Sequence, residues 1–110
     1  MSRHIARLHH AGSPILVIAG YDRPLRSLFL HVMRVDSDKP DQGQELIYDS
    51  LREPRLDWTD INTVADRLTA LGIEVPGSMI EQIYLDQCFN VGNRVVEHHA
   101  DQPPTVLHAA

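Results

Sequence analysis

Seven histidines, a lone cysteine and a cluster of aspartates are the residues of this chain whose types carry chemistry, so their spacing decides what to expect. His9-His10 and His98-His99 are adjacent pairs. Neighbouring side chains on a strand point to opposite faces, so neither pair closes on one ion. His31 falls inside an apolar run and reads as a packed or surface residue, and no metal is expected. Asp36, Asp38 and Asp41 lie in a polar stretch that lacks the glycine and terminal glutamate of an EF-hand loop, and they read as loop solubilisers. Cys88 is the single cysteine, which excludes an intramolecular disulfide and a multi-cysteine zinc site. It shares a helical stripe with Ile80, Ile83 and Tyr84 and is expected to be a buried, inert thiol. A nucleophilic role would need a nearby base, for which His98 is the sequence-near candidate. The chain has no phosphate-binding loop, no Gly-x-Gly-x-x-Gly and no Gly-x-Ser-x-Gly, and Ser13 has no partner in view. The expectation is no catalytic residue and no cofactor.

Two charged turns remain. In Gly20-Tyr21-Asp22-Arg23-Pro24-Leu25, Asp22 can bond the backbone ahead of it and Pro24 fixes a turn. Asn90-Val91-Gly92-Asn93-Arg94 does similar work near the end. Both read first as structural turns, with Arg94 able to pair with Asp22 or Asp49. The alternative is a small enzyme or ligand-binding domain whose polar cleft gathers Asp22, Arg23, Arg94 and His98.

These residues need elements to position them. Ile61, Val64, Ala65, Leu68 and Leu71 form one helical stripe, with Asp57, Thr59 or Asp60 able to cap its start and Gly72 its end. Ser78-Met79-Ile80-Glu81 fits a capping box opening a second helix, which Gly92 closes with help from Asn90 or Asn93. Residues 14–19, 28–35, 45–49 and 94–98 read as strands, and 36–44 as a long hairpin loop. The order is β-β-β-α-α-β. This is an α+β fold: a small antiparallel sheet with two helices packed on one face. One domain is expected over residues 14–99, between a flexible basic tail at 1–13 and a flexible tail at 100–110.

A net charge of −5 and a pI near 5.7 argue against direct nucleic-acid binding, which needs clustered lysine and arginine. The apolar run at 14–19 is too short to span a bilayer, and residues 1–13 lack the apolar stretch of a secretory signal, so no membrane association and a cytoplasmic location are expected. The Gly20–Leu25 turn before an apolar strand, Leu71-Gly72-Ile73 with Pro76 between helices, and Asn90-Val91-Gly92-Asn93-Arg94-Val95-Val96 resemble a group of small bacterial proteins. In size and layout the chain also resembles the QslA-like quorum-sensing antiactivators, which bind a LuxR-type transcription regulator and disrupt its dimerisation. That resemblance implies a non-enzymatic regulatory protein-interaction module that keeps a LuxR-type regulator off DNA. The apolar inventory allows such a role, with Leu8, Ile15, Phe29, Tyr48, Trp58 and Phe89 as surface candidates and Trp58, Phe89, Tyr48 and Phe29 carried forward as partner-binding residues. Trp58 either staples the first helix or anchors a partner. Strand edges offer a homodimer a further route.

Overall fold

The computed structural model describes residues 1–35 and 45–109 of the chain. The loop reading of Asp36, Asp38 and Asp41 lies outside the described residues. Six strands and two helices follow one another: β1 Ser2–His10, β2 Ser13–Asp22, β3 Ser27–Arg34, β4 Glu45–Asp49, a 3-10 turn Ser50–Arg52, α1 Ile61–Ala70, α2 Gly77–Cys88, β5 Arg94–His98 and β6 Thr105–Ala109. The strands form one sheet in the order β4-β3-β2-β1-β5-β6. Fold class is α+β as expected, but the sheet is mixed: β1 and β5 run parallel while every other neighbouring pair is antiparallel. A parallel pair needs a long crossover, and the segment carrying both helices supplies it.

Both expected tails contain a strand, β1 in the first and β6 in the second. β1 lies in the middle of the sheet, pairing with β2 over its whole length and with β5 from Ser2 to Ala6. Its inward residues are Ser2, His4 and Ala6 and its outward ones include Arg3, Arg7 and His9. No apolar alternation marks it, because what it buries is small or polar. β6 is an edge strand exposed at all five positions and held by its ladder to β5. β1 turns into β2 through Ala11 and Gly12, both at positive φ (52° and 79°), as the tightest hairpin loops require.

β2 runs through Gly20 instead of stopping there. A Cβ on Gly20 would stand 2.1 Å from the Ser2 carbonyl oxygen and 3.1 Å from the Phe29 ring, so glycine is what lets the strands close. The register aligns Ala6, Val17 and Val32 on one face, followed by His4, Ala19 and Leu30, then Ser2, Tyr21 and Leu28. The helices cover this face, burying Val64 and Leu68 of α1 and Met79 and Ile83 of α2 against it, with Trp58 and Ile73 at the margin.

α1 begins where Asp60 accepts the Asn62 N–H at 2.9 Å. It ends at Gly72 (φ 73°), where the Ile73 N–H returns to the Leu68 carbonyl at 2.9 Å. α2 departs from expectation at both ends of the argument. Its N-cap is Pro76, which offers no side-chain bond, so Ser78 is not the cap. Its buried residues are Met79, Ile83 and Asp86, while Tyr84, Leu85, Cys88 and Phe89 face outward. Adjacent helical positions differ by about 100°. The helix is rolled by about that much from the Ile80, Ile83, Tyr84 and Cys88 stripe, because Asp86 is drawn inward by two cationic or donor partners.

Candidate functional site

Those partners belong to a buried polar chain that joins α2 to the sheet. Ser78, Gln82 and Asp86 recur every fourth residue along α2 and so share one side of it. Opposite them stand His4 of β1 and His98 of β5, on neighbouring parallel strands and the same sheet face. The Ser78 Oγ lies 2.8 Å from His98 Nδ1. His98 Nε2 lies 2.8 Å from His4 Nδ1, and His4 Nε2 lies 2.6 Å from Asp86 Oδ2. Arg94 closes the far end, donating from Nη1 to Asp86 Oδ1 at 3.0 Å and from Nη2 to Gln82 Oε1 at 3.1 Å. His4, Asp86 and His98 are 0%, 1% and 2% exposed, whereas Ser78 is only half-buried.

Burial works against the Asp86 charge, yet the hydrogen bond and charge of His4, the Ser2 hydroxyl and Arg94 together hold its carboxyl below the usual range. Burial first, then the nearby charges of His4, Arg94 and His99, push His98 down to about 4, so it is neutral near pH 7. An ionised Asp86 only accepts, so His4 Nε2–H donates to it. In the state with His4 uncharged, His4 Nδ1 can accept from His98 Nε2–H and His98 Nδ1 the Ser78 hydroxyl proton; with His4 charged, both of its nitrogens donate and His98 Nδ1–H donates to Ser78 instead. In the uncharged state all donors point one way, from Ser78 to Asp86.

Two of the four residues proposed for a polar cleft, Arg94 and His98, are joined by this chain through His4 and Asp86. The other two are not. Asp22 accepts the Leu25 N–H at 3.3 Å in the β2–β3 turn, and the aliphatic part of Arg23 lies over Gly92. Arg94 pairs with Asp86, not with Asp22 or Asp49. His4, Asp86 and Ser78 went unrecognised in the sequence. The signal for Ser78 and Asp86 was the four-residue spacing of Ser78, Gln82 and Asp86 beside the Met79 and Ile83 core stripe, and His4 had none.

The partner-binding candidates divide in the same way. Trp58 is 9% exposed and its Nε1–H donates to the Glu53 carbonyl at 2.9 Å, so it is a core staple and cannot anchor a partner. Ile15 is buried, and Tyr48 and Leu8 are half-buried against the core. Phe29 lies on the helix-free face, edge-on to His31. Phe89 is 75% exposed and continues a stripe with Tyr84, Leu85 and Cys88 on the outer side of α2. Cys88 is therefore an exposed thiol, not the buried one expected.

The sheet face away from the helices carries Ile5, Leu16, Ile18, Phe29, Met33 and Val95, all half-buried. At one end of this face a cavity of about 640 Å³ is lined by Ile18, Leu25, Phe29, Leu51 and Trp58, with Arg3, Asp22 and His31 as its polar groups. Among the described residues no three His, Cys, Asp or Glu side chains gather as a metal-ligand set. No described helix is long and apolar enough to cross a membrane. Comparison with family models, with curated proteins and with solved structures finds no match.

Proposed function

We propose that this chain is a regulatory protein-interaction module that docks a protein partner through the outer side of α2. The observation that carries this reading is the run Tyr84, Leu85, Cys88 and Phe89, exposed side by side on a helix whose inner side is pinned to the sheet by four side-chain bonds. Positions i, i+1, i+4 and i+5 form one patch on a helix, and a patch fixed in place before binding loses little conformational entropy when it docks. Exposed aromatic residues of this kind are the usual anchors of an interface. The resemblance to quorum-sensing antiactivators names the partner as a LuxR-type transcription regulator, held as a monomer away from its DNA in the cytoplasm. The net charge of −5 fits a protein that acts on the regulator and not on the DNA.

Titration of the chain into a LuxR-type regulator bound to its operator tests the proposal. DNA binding should fall with dose while the chain alone shifts no DNA, and the regulator should co-elute with it as a monomer. Phe89→Ala should weaken the complex by more than about 1–2 kcal/mol. A regulator that keeps its full DNA binding at saturating amounts of this protein rules the reading out.

A further inference from the structure

The opposite side of α2 carries an arrangement that docking does not use. From the unbroken sequence of contacts Ser78 Oγ to His98, His98 to His4 and His4 to Asp86, at 2.8, 2.8 and 2.6 Å, we infer that Ser78 is an acyl-accepting nucleophile acting on small activated carboxylic esters or thioesters. His98 is its general base in the state where His4 is uncharged. His4 and Asp86 are positioning residues behind that base. The inference does not rest on the docking reading.

Four observations support it. A nucleophile, a base in hydrogen-bond reach and a third group orienting the base are the parts that serine chemistry needs. Here the orienting group is an imidazole backed by a carboxylate. Second, only the outer member of the chain meets solvent: Ser78 is half-buried, while His98, His4 and Asp86 are almost fully enclosed. Third, Ser78 sits in the first turn of α2, whose N-cap Pro76 supplies no side-chain acceptor. The Gly77 and Ser78 amides have no partner within the helix, as at any helix start, whereas the Met79 N–H is taken by the Pro76 carbonyl at 3.0 Å. Fourth, Gly77 is exposed and a Cβ built on it meets nothing within 4 Å, so the surface at the start of α2 is open. The cavity near Phe29 and Trp58 does not include Ser78, so a substrate would meet the hydroxyl at the surface.

The second imidazole has a specific use. Burial disfavours a positive charge on His98, which alone would make it a poor base. When His98 Nδ1 takes the Ser78 proton, its Nε2 proton can pass to His4 Nδ1, and the charge then rests on His4 against the Asp86 carboxylate. Arg94 and Gln82 hold that carboxylate's side of the chain in place. In the forward step the Ser78 Oγ–carbon bond forms, the ester C–O or thioester C–S bond breaks, and the leaving group receives the proton back from His98 Nδ1. Water then adds to the acyl-serine by the same route, releasing the carboxylic acid and restoring the hydroxyl.

The full folded chain, treated with a fluorophosphonate probe and separately with p-nitrophenyl acetate, tests this. One adduct on Ser78 by peptide mapping is expected, together with a burst of p-nitrophenolate. Ser78→Ala should abolish both, whereas Ser13→Ala, at the start of β2, should leave both unchanged. His98→Gln should slow labelling by at least about 100-fold in a chain that keeps its native circular dichroism. Asp86→Asn should move the pH profile of labelling. If His98→Gln does not fold, the wild-type chain decides: labelling lost in denaturing urea supports the inference, and equal labelling overturns it. A native wild-type chain with no adduct on Ser78 also overturns it, as does an adduct rate unchanged in folded His98→Gln.

Discussion

Acidification should unfold this protein by a route that begins at His98. Its imidazole is held at about 4 in the folded state, against 6.5 when unfolded. Above both values the two states bind the same number of protons and His98 contributes no pH dependence. Between them the unfolded chain takes up a proton that the native chain refuses, so stability falls as pH falls through this window. The loss from this one group approaches about 1.4 kcal/mol per pH unit, reaching about 2 kcal/mol near pH 5 and about 3 kcal/mol near pH 4. Asp86 acts in the same direction at lower pH. Its depressed carboxyl gives stability present above the unfolded carboxylate value and lost as pH falls through the folded one. Urea denaturation followed by the fluorescence of Trp58, the single tryptophan, measures the effect. Wild type and His98→Asn should be compared from neutral to mildly acid buffer. The wild-type slope should exceed that of the variant by nearly one proton between about pH 6 and about pH 4.5. Parallel slopes would show that His98 is protonated freely in the native state, and the enclosed chain as described would be wrong.

Three further outcomes follow from single residues. Native Cys88 should react with a maleimide at nearly the rate of the unfolded chain, since its thiol is exposed beside Tyr84; protection by more than about tenfold would place it elsewhere. Gly20→Ala should cost several kcal/mol, because its Cβ would overlap the Ser2 carbonyl, and thermal unfolding by circular dichroism would reveal it. Asp60→Ala should cost about 0.5–2 kcal/mol through loss of the bond to the Asn62 N–H, read from the urea midpoint.

The parts of the fold that were legible in sequence are those where apolar residues repeat. β2 and β3 carry long apolar runs, and α1 has one clear stripe between an Asp cap and a Gly stop, so all three stood out. β1 did not, since Ser2, His4 and Ala6 become inward residues only when α2 supplies Asp86 and β5 supplies His98. β6 shows no alternation because both of its faces meet solvent. α2 is apolar on more than one side, with Met79 and Ile83 competing against Ile80, Tyr84, Leu85 and Phe89. Tertiary pairing of Asp86 settles its roll. The polar chain was hidden for the same reason: its members come from three elements, and only the four-residue step of Ser78, Gln82 and Asp86 is local.

The position of β1 also bears on how the molecule assembles. Its hairpin with β2 closes over two residues and is a microsecond event on the scale of elementary folding steps. Its other edge waits for β5, and the contact between His4 and His98 joins positions 94 apart in the chain. Closing so long a loop carries an entropy cost that the local hairpin does not bear. The central strand of the finished sheet therefore spends the search as an open edge. Its solvent-side Arg3 and Arg7 discourage pairing with another chain during that interval, as charged residues do on edge strands generally. The last ladder to form is then the one that assembles Ser78, His98, His4 and Asp86, so the buried chain reports completion of folding.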